Sequence, residues 1–260
     1  MRGVLKPDIL GPGVRILAAW PIQVGPNPSQ TTGNTQTTFN MISDISMSAP
    51  HLSEVAALIK AAHLDWSTTV VKSGIMTTSD IIDKDGNPIK DEQHNKASFL
   101  GMGADNVNTF KAADPELVYD IEPNDYVRFL CGLGYSDKQA EIVTHRKVMC
   151  VEVSKIREVG LNYSTITMAS LLDFDRITVT HTVKNVCSEQ STYKLKVDGL
   201  ESVVVEVSPE MLDFSGKIYE SKLFNISFIR KIVHPPTHEE GHLLWASNTK
   251  SVKIPILIPV

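Results

Sequence analysis

Residues 42–51 read Ile-Ser-Asp-Ile-Ser-Met-Ser-Ala-Pro-His, and a helical pattern follows them directly. In that pattern Leu52, Val55 and Ile59 recur at three- and four-residue spacing, which predicts a helix from Ser48 with one face toward a core. A serine just before a helix can act as a nucleophile, because free N–H groups and the helix dipole stabilise an oxyanion. Serine and aspartate at such places are more often caps, so both interpretations stay open at this point.

The composition is that of a globular protein. The 260 residues are 42% hydrophobic and 21% charged, which is enough apolar material for a packed core. A net charge of -5 without a long Lys or Arg run argues against a nucleic-acid partner. Polar residues interrupt every apolar stretch before it reaches the length of a membrane span, so we expect no membrane partner. Three cysteines are too few for a disulfide-rich scaffold.

Short strands and helices are predicted for the first part of the chain. They are strands at 14–19 and 39–43, a polar loop at 23–38, and helices at 48–63, 67–78, 125–133 and 136–145. Ser67 and Ser136 are suitable N-caps for two of these helices. The stretch Asp83–Pro88 predicts a turn, and it lacks the alternating ligands and the final Glu of a calcium loop.

After about Gly160 the hydrophobic period changes from 3.6 to 2, as expected for β-strands. Apolar residues alternate with polar ones in stretches that start near Ile177, Tyr193, Val203, Phe224 and Val252. Six or seven short strands over about 100 residues favour a β-sandwich. We therefore predict two units, residues 1–155 and 156–260.

The serine segment resembles the S-G-T-S-M-S-x-P-H signature of subtilisin-like serine proteases, with Ser46 at the nucleophile position. Other stretches resemble the plant branch of that family: KPDI at 6–9, ILAAWP at 16–21, IMTT at 75–78, ADP at 113–115, FLCGLGY at 129–135 and GHLLW at 241–245. The resemblance implies the α/β C-terminal part of a catalytic domain, with an incomplete parallel sheet and helices. An all-β fibronectin-III-like sandwich is expected after it.

By resemblance the function is peptide-bond hydrolysis through a Ser46 acyl-enzyme, acting on peptide or protein substrates without a cofactor. The triad of the family runs in the order Asp, His, Ser. A chain that starts shortly before the serine is therefore expected to be truncated and inactive alone. Asp44 stands where the signature has Gly, and Ile45 where it has Thr; both changes work against acyl transfer. His51 is expected to support packing, since five helical steps turn it away from Ser46.

A second hypothesis comes from a different class of function. The chain would be a non-catalytic interaction module, or a degenerate gene product, in which the sandwich folds and associates with another subtilase. Separately, because most strands of the parallel sheet are expected to be missing, we expect the first helix to expose Leu52, Val55 and Ile59. The resemblance implies an extracellular, apoplastic location, although the first residues do not resemble a signal peptide.

Three further patterns concern modification and metals. The segment His238-Glu239-Glu240-Gly241-His242, with His234 before it, matches H-E-x-x-H, but Gly241 and nearby prolines predict a turn and a strand rather than a zinc-binding helix. Cys131 and Cys150 are candidates for a disulfide, with two buried thiols as the alternative. Asn162 and Asn225 fit the N-x-S/T pattern for glycosylation.

Overall fold

A strand hairpin leads to the serine segment in the computed structural model, which describes residues 3–20, 39–168, 175–231 and 238–259. Strand β1 (Ile16–Ala19) pairs antiparallel with β2 (Phe39–Ile42), with Leu17 opposite Met41. The pair is antiparallel, unlike the parallel sheet that the family resemblance implies for this part of the chain. The loop predicted at 23–38 lies outside the described residues.

Two helices follow the hairpin and pack on each other. Helix α1 (Ile45–Ala62) starts three residues before the predicted Ser48, because Asp44 caps it. Helix α2 (Thr68–Thr77) starts as predicted behind the cap Ser67. The predicted exposure of the α1 apolar face was wrong: Ile59 is 1% exposed and packs in a cluster with residues of α2. Leu52 and Val55 are half-buried.

Shorter helices connect this pair to the sandwich. They are α3 (Phe99–Met102), α4 (Thr109–Ala112), α5 (Pro123–Gly132) and α6 (Asp137–Thr144). Ser136 caps α6, as expected. The structure joins Cys131, on α5, to Cys150 by a disulfide that brings their Cα atoms to 5.3 Å. In the predicted turn, Asp83 Oδ1 accepts from the N–H groups of Asp85 and Asn87, both at 2.9 Å.

Two packed sheets form the sandwich. Their strands are β3 (Leu117–Val118), β4 (Ile166–Thr167), β5 (Arg176–Asn185), β6 (Ser191–Asp198), β7 (Val203–Ser208), β8 (Met211–Phe214), β9 (Ser221–Arg230), β10 (His238–Ala246) and β11 (Ser251–Pro259). One sheet has the order β4-β11-β10-β6-β8 and the other the order β3-β5-β9-β7. Trp245, Phe224 and Tyr193 lie fully buried between them. Since β3 pairs with β5, residues before the predicted start at 156 also contribute to the sandwich.

The serine region and the sandwich are in direct contact. Lys253 on β11 donates to Asp105, which precedes α4, and both are buried, at 6% and 0% exposure. Next to them Glu240 on β10 accepts from Ser98 Oγ at 2.5 Å and from the Phe99 N–H at 2.9 Å. Leu257 of β11 also packs in one apolar cluster with Phe99. The first part of the chain is therefore packed against the sandwich.

No helix in the described parts of the chain is both long and apolar enough to cross a membrane.

Burial of His181 in the sandwich core makes the stability of the fold depend on pH. His181 on β5 is 1% exposed and lies between Phe224 and Tyr119, with ring centroids 6.1 and 6.5 Å away. Burial lowers the pKa of His181 to about 4, and only a 3.3 Å contact of Nε2 with the Val159 carbonyl opposes this. The imidazole is therefore neutral in the folded protein at pH 5–7.

We predict that His181 destabilises the fold as the pH falls. The unfolded chain binds the proton near pH 6.5 and the folded chain near pH 4, so stability is lost within that window. Urea unfolding gives the free energy of unfolding of wild type and of His181→Gln. We expect the value for wild type, relative to that for the variant, to fall by about 2–3 kcal/mol between pH 7.5 and 4.5. A difference between the two proteins that does not change with pH would contradict the neutral buried state.

Candidate functional site

Ser46 is placed by the connection from β2 into α1. The Asp44 N–H donates to the Gly13 carbonyl at 2.9 Å, and the Arg15 N–H donates to Ser43 Oγ at 2.9 Å. A side chain at position 13 would begin 3.0 Å from both the Asp44 carbonyl oxygen and Ser48 Cβ, so Gly13 permits this close approach. The loop before β1 thus holds the start of α1 by backbone contacts.

The Ser46 hydroxyl is engaged by the cap of its own helix. Ser46 Oγ donates to Asp44 Oδ1 at 2.6 Å, and the Ser46 N–H donates to the same oxygen at 2.7 Å. Both hydrogen bonds lower the pKa of Asp44 below its ordinary value, and the one from the Ser46 side chain has the larger effect. Asp44 is the N-cap of α1, so the capping interpretation describes this structure.

This arrangement opposes nucleophilic attack in two ways. The carboxylate nearest the hydroxyl is a weak base, because its pKa is lowered and it already accepts two hydrogen bonds. The same carboxylate places a negative charge at the helix N-terminus, where an oxyanion would need positive potential. Asp44 therefore occupies the helix N-terminus at which an oxyanion would be stabilised.

The nearest histidine in sequence does not reach the serine hydroxyl by a hydrogen bond. His51 Nδ1 lies 2.7 Å from the Met47 carbonyl oxygen, which fits an N–H donated back along α1. The side chain is half-buried. This contact agrees with the packing role expected for His51.

An apolar cleft of about 750 Å³ lies beside the serine segment. The loop over residues 7–14 forms one wall, and α1 and α2 form the other. Its lining is mostly apolar side chains and includes Ile9, Leu10, Val14, Ile45, Leu52 and Met76. Asp44 and Ser48 also contact this cleft, so the start of α1 faces it.

Sequence reasoning missed a polar cluster at one end of the cleft. Asp8 lies 2.8 Å from Lys72 Nζ and also accepts the Tyr163 hydroxyl hydrogen. Burial opposes ionisation of Asp8, yet hydrogen bonds from Lys6 and Lys72 bring its pKa below the ordinary value. The KPDI stretch contributes Lys6 and Asp8, but their contact with Lys72 and Tyr163 is visible only in the fold.

The two glycosylation candidates have different surroundings. Asn162 Nδ2 donates to the carbonyls of Asp120 and Thr182 at 2.9 and 2.8 Å, and its oxygen accepts from the Thr182 N–H. Its amide nitrogen is therefore occupied. Asn225 lies exposed on β9, and its side-chain oxygen accepts from Thr180 Oγ1 at 2.7 Å. The amide nitrogen of Asn225 is therefore better placed for glycosylation than that of Asn162.

The H-E-x-x-H pattern lies on a strand. His238 and His242 both belong to β10, so the turn predicted for this segment was wrong; the strand continues through it because the pattern pairs with β11. Four strand residues span about 13 Å, too far for two imidazoles to share one ion. Among the described residues no group of three His, Cys, Asp or Glu side chains could hold a metal ion. His234 lies outside the described residues.

Two family models match separate parts of the chain. Residues 1–106 match the family model described as "Subtilase family", and residues 160–258 match the one described as "Fibronectin type-III domain". Among solved structures, the FixG-related protein from Vibrio parahaemolyticus shares 15% identity over 32% of this chain and 77% of its own, with a TM-score of 0.27.

Curated relatives match nearly the whole chain. Subtilisin-like protease SBT1.5 of Arabidopsis thaliana is 36% identical over 98% of this chain and 34% of its own length, and SBT5.3 is 37% identical over 98% and 32%. Subtilisin-like protease SBT3 of Solanum lycopersicum is 34% identical over 98% and 34%. The chain thus spans about a third of the length of these relatives. Matches of this extent, through the serine segment and the sandwich alike, place the chain in the subtilase family, among its plant members.

Proposed function

We propose that this chain carries the nucleophile segment of a subtilisin-like serine endopeptidase in a form that does not hydrolyse peptides by itself. The observation that carries the proposal is the 2.6 Å hydrogen bond from Ser46 Oγ to Asp44 Oδ1. The family's reaction begins when the serine oxygen attacks a peptide carbonyl and a histidine takes its proton. Here the hydroxyl proton is directed to a carboxylate of lowered pKa, which is a poor acceptor for it.

The proposal extends to the whole protein of which such a segment would be part. Peptide-bond hydrolysis through a seryl acyl-enzyme is the activity that the family relationship supports, with peptides or proteins as substrates. An Asp and a His supplied by another part of a subtilase would have to break the Ser46–Asp44 hydrogen bond before attack. Asp44 then acts against the nucleophile even when the triad is complete.

We further propose an oxidising, extracellular setting. The Cys131–Cys150 disulfide supports this, because such bonds form and persist in secreted proteins.

A fluorophosphonate probe tests the reactivity of Ser46. We expect the purified chain at pH 8 to show no more labelling than Ser46→Ala, because attack on phosphorus needs the same activated hydroxyl as attack on a carbonyl. An active serine peptidase in the same reaction serves as the positive control. Labelling that approaches one probe per chain, located at Ser46 by peptide mapping, would overturn the proposal.

A second candidate function is supported by the exposed face of the hairpin. Leu17, Phe39 and Met41 share one face of β1 and β2 and are 67%, 60% and 63% exposed. Ile45, at the start of α1, is 85% exposed. Contiguous exposed apolar residues mark interaction sites. We propose that this hairpin face binds the part of a subtilase that the chain does not match, since the relatives are about three times longer.

A binding measurement with the unmatched two thirds of SBT1.5 tests this interaction. Leu17→Lys combined with Met41→Glu replaces two of the three apolar residues of this face and leaves a favourable cross-strand charge pair, so the pairing of β1 with β2 is retained. We expect this variant to bind at least about tenfold more weakly than wild type in calorimetry. Leu223→Lys, at a 65% exposed position on β9, is the matched control and should bind like wild type. Equal binding by all three proteins, or self-association alone, would contradict the proposed interaction.

A further inference from the structure

A second pocket, of about 580 Å³, lies between α5 and the chain that follows α6. Its lining consists of three residues of α5 and of the stretches 146–149 and 152–154. Within the described parts of the chain, none of these residues also lines the cleft beside the serine segment. The volume is in the range of sites that bind small ligands.

Two local features bring the chain after α6 back onto α5. His145 ends α6 in the left-handed conformation, with φ 52°, so the chain changes direction there. The disulfide between Cys131 and Cys150 then ties the returning stretch to α5. The Cys150 N–H also donates to Asp137 Oδ1 of α6 at 2.8 Å. The wall of the pocket is therefore held in place by the protein itself.

The buried part of the lining is apolar. Val127 and Val148 are buried and belong to the apolar cluster around the disulfide, and Val153 packs against that cluster. Met149, which also lines the pocket, remains 41% exposed. A ligand that covers this flexible apolar side chain removes it from water, which favours an apolar group in the pocket.

The charged part of the lining is basic. Arg128 is paired with Asp125, whose Oδ1 lies 2.9 Å from Nη1. Among the residues that the structure describes, Arg146 and Lys147 have no carboxylate at salt-bridge distance, and both are exposed. The described lining contains a single carboxylate, Glu152. One positive charge is thus left in excess, in a chain whose net charge is -5, and it favours an anionic group beside the apolar one.

Two uncharged side chains of the pocket distinguish between kinds of apolar anion. Asn124 and Ser154 are exposed, and in the described part of the molecule their side chains form no hydrogen bond. Both can donate and accept, as the N–H and C=O groups of a peptide require. The hydrocarbon chain of a fatty acid would cover them without providing a partner, which costs free energy. A peptide therefore fits the lining better than a fatty acid.

We propose that this pocket binds the carboxyl end of a peptide whose last residue is apolar. The terminal carboxylate accepts charge-assisted hydrogen bonds from Arg146 and Lys147, and a guanidinium can make two such bonds in parallel. The last side chain packs in the apolar lining next to Met149. The preceding peptide group bonds to Asn124 and Ser154. This binding does not depend on the reactivity of the serine segment, so the two proposals fail independently.

Fluorescence anisotropy with a labelled pentapeptide that ends in leucine tests the proposal on the full chain. One form of the peptide has a free carboxylate, and the other has the same sequence with a terminal amide. We expect the acid to bind at least about tenfold more tightly, because the amide has no charge to offer the two cations. Equal binding of the two forms, or no binding of the acid up to about 1 mM, would overturn the proposal.

Variants with one cation removed locate the binding. Arg146→Gln and Lys147→Gln change exposed side chains, and each should weaken binding of the acid by about fivefold or more. Lys138→Gln is the matched control: it removes the same charge from an exposed position of α6 outside the pocket lining, and it should bind like wild type. A loss of the same size in Lys138→Gln would indicate unspecific attraction by charge and would contradict the assigned site.

Competition with dodecanoate separates a peptide ligand from a fatty acid. Dodecanoate has an apolar body and a carboxylate but no peptide groups. We expect displacement of the labelled peptide to need at least about tenfold more dodecanoate than unlabelled peptide. Displacement at equal or lower concentration would show that the peptide groups contribute nothing, and the choice of a peptide would then be wrong.

Discussion

The buried ion pair between Asp105 and Lys253 is the constraint on which the placement of the serine segment depends. Two ions removed from water are costly unless each finds its partner, so the sandwich strand β11 and the loop before α4 must meet at this point. That loop is in turn bonded to the start of the chain: the Leu10 N–H donates to the Asp105 carbonyl, and the Ala104 N–H to the Asp8 carbonyl, both at 2.9 Å. Residues 8–13 then pack against α1 and hold the Asp44 backbone. The Asp105–Lys253 ion pair thereby helps to fix the start of α1, and with it Ser46, through the intervening loop.

At Ser46, the N-terminus of α1 can stabilise either of two negatively charged groups. A helix N-terminus offers unpaired N–H groups and positive potential, which can stabilise either an oxyanion or a permanent capping carboxylate. In this chain Asp44 takes that place and also accepts the Ser46 hydroxyl hydrogen. The replacement of the Gly in the family signature by Asp therefore gains helix stability at the position where catalysis would need an empty anion site. The family relationship and the proposed lack of reactivity are consistent with each other for this reason.

Much of the local structure could be predicted because the signals lie within a few residues. Ser67 followed by apolar residues predicts α2, and strict alternation predicts β5 and β9. The predicted start of α1 lies too late, because Ser48 before Pro50 resembles a start signal. The alternative interpretation of Asp44 as a cap agrees with its hydrogen bond from the Ser46 N–H. The polar first half of β10 has weak strand propensity and carries a turn signal in the sequence. It forms a strand because its pairing with β11 overrides that propensity.

Other parts of the site could not be predicted, because they depend on distant contacts. Asp105 and Lys253 are 148 positions apart, and neither residue carries a pattern that announces its partner. The Asp8, Lys72 and Tyr163 cluster and the position of His242 between two aspartates are of the same kind. The hypothesis that Ser46 stands at the nucleophile position, by contrast, came from the signature around it, because such a segment is local in sequence.

A double-mutant cycle on the buried ion pair tests most directly whether the two parts of the chain depend on each other in this way. Urea unfolding at pH 7 of wild type, Asp105→Asn, Lys253→Met and the double variant gives the coupling energy between the two side chains. The account predicts a coupling of about 2 kcal/mol or more, because each single variant leaves a buried charged group without its partner. Effects that add to within about 0.5 kcal/mol would contradict it.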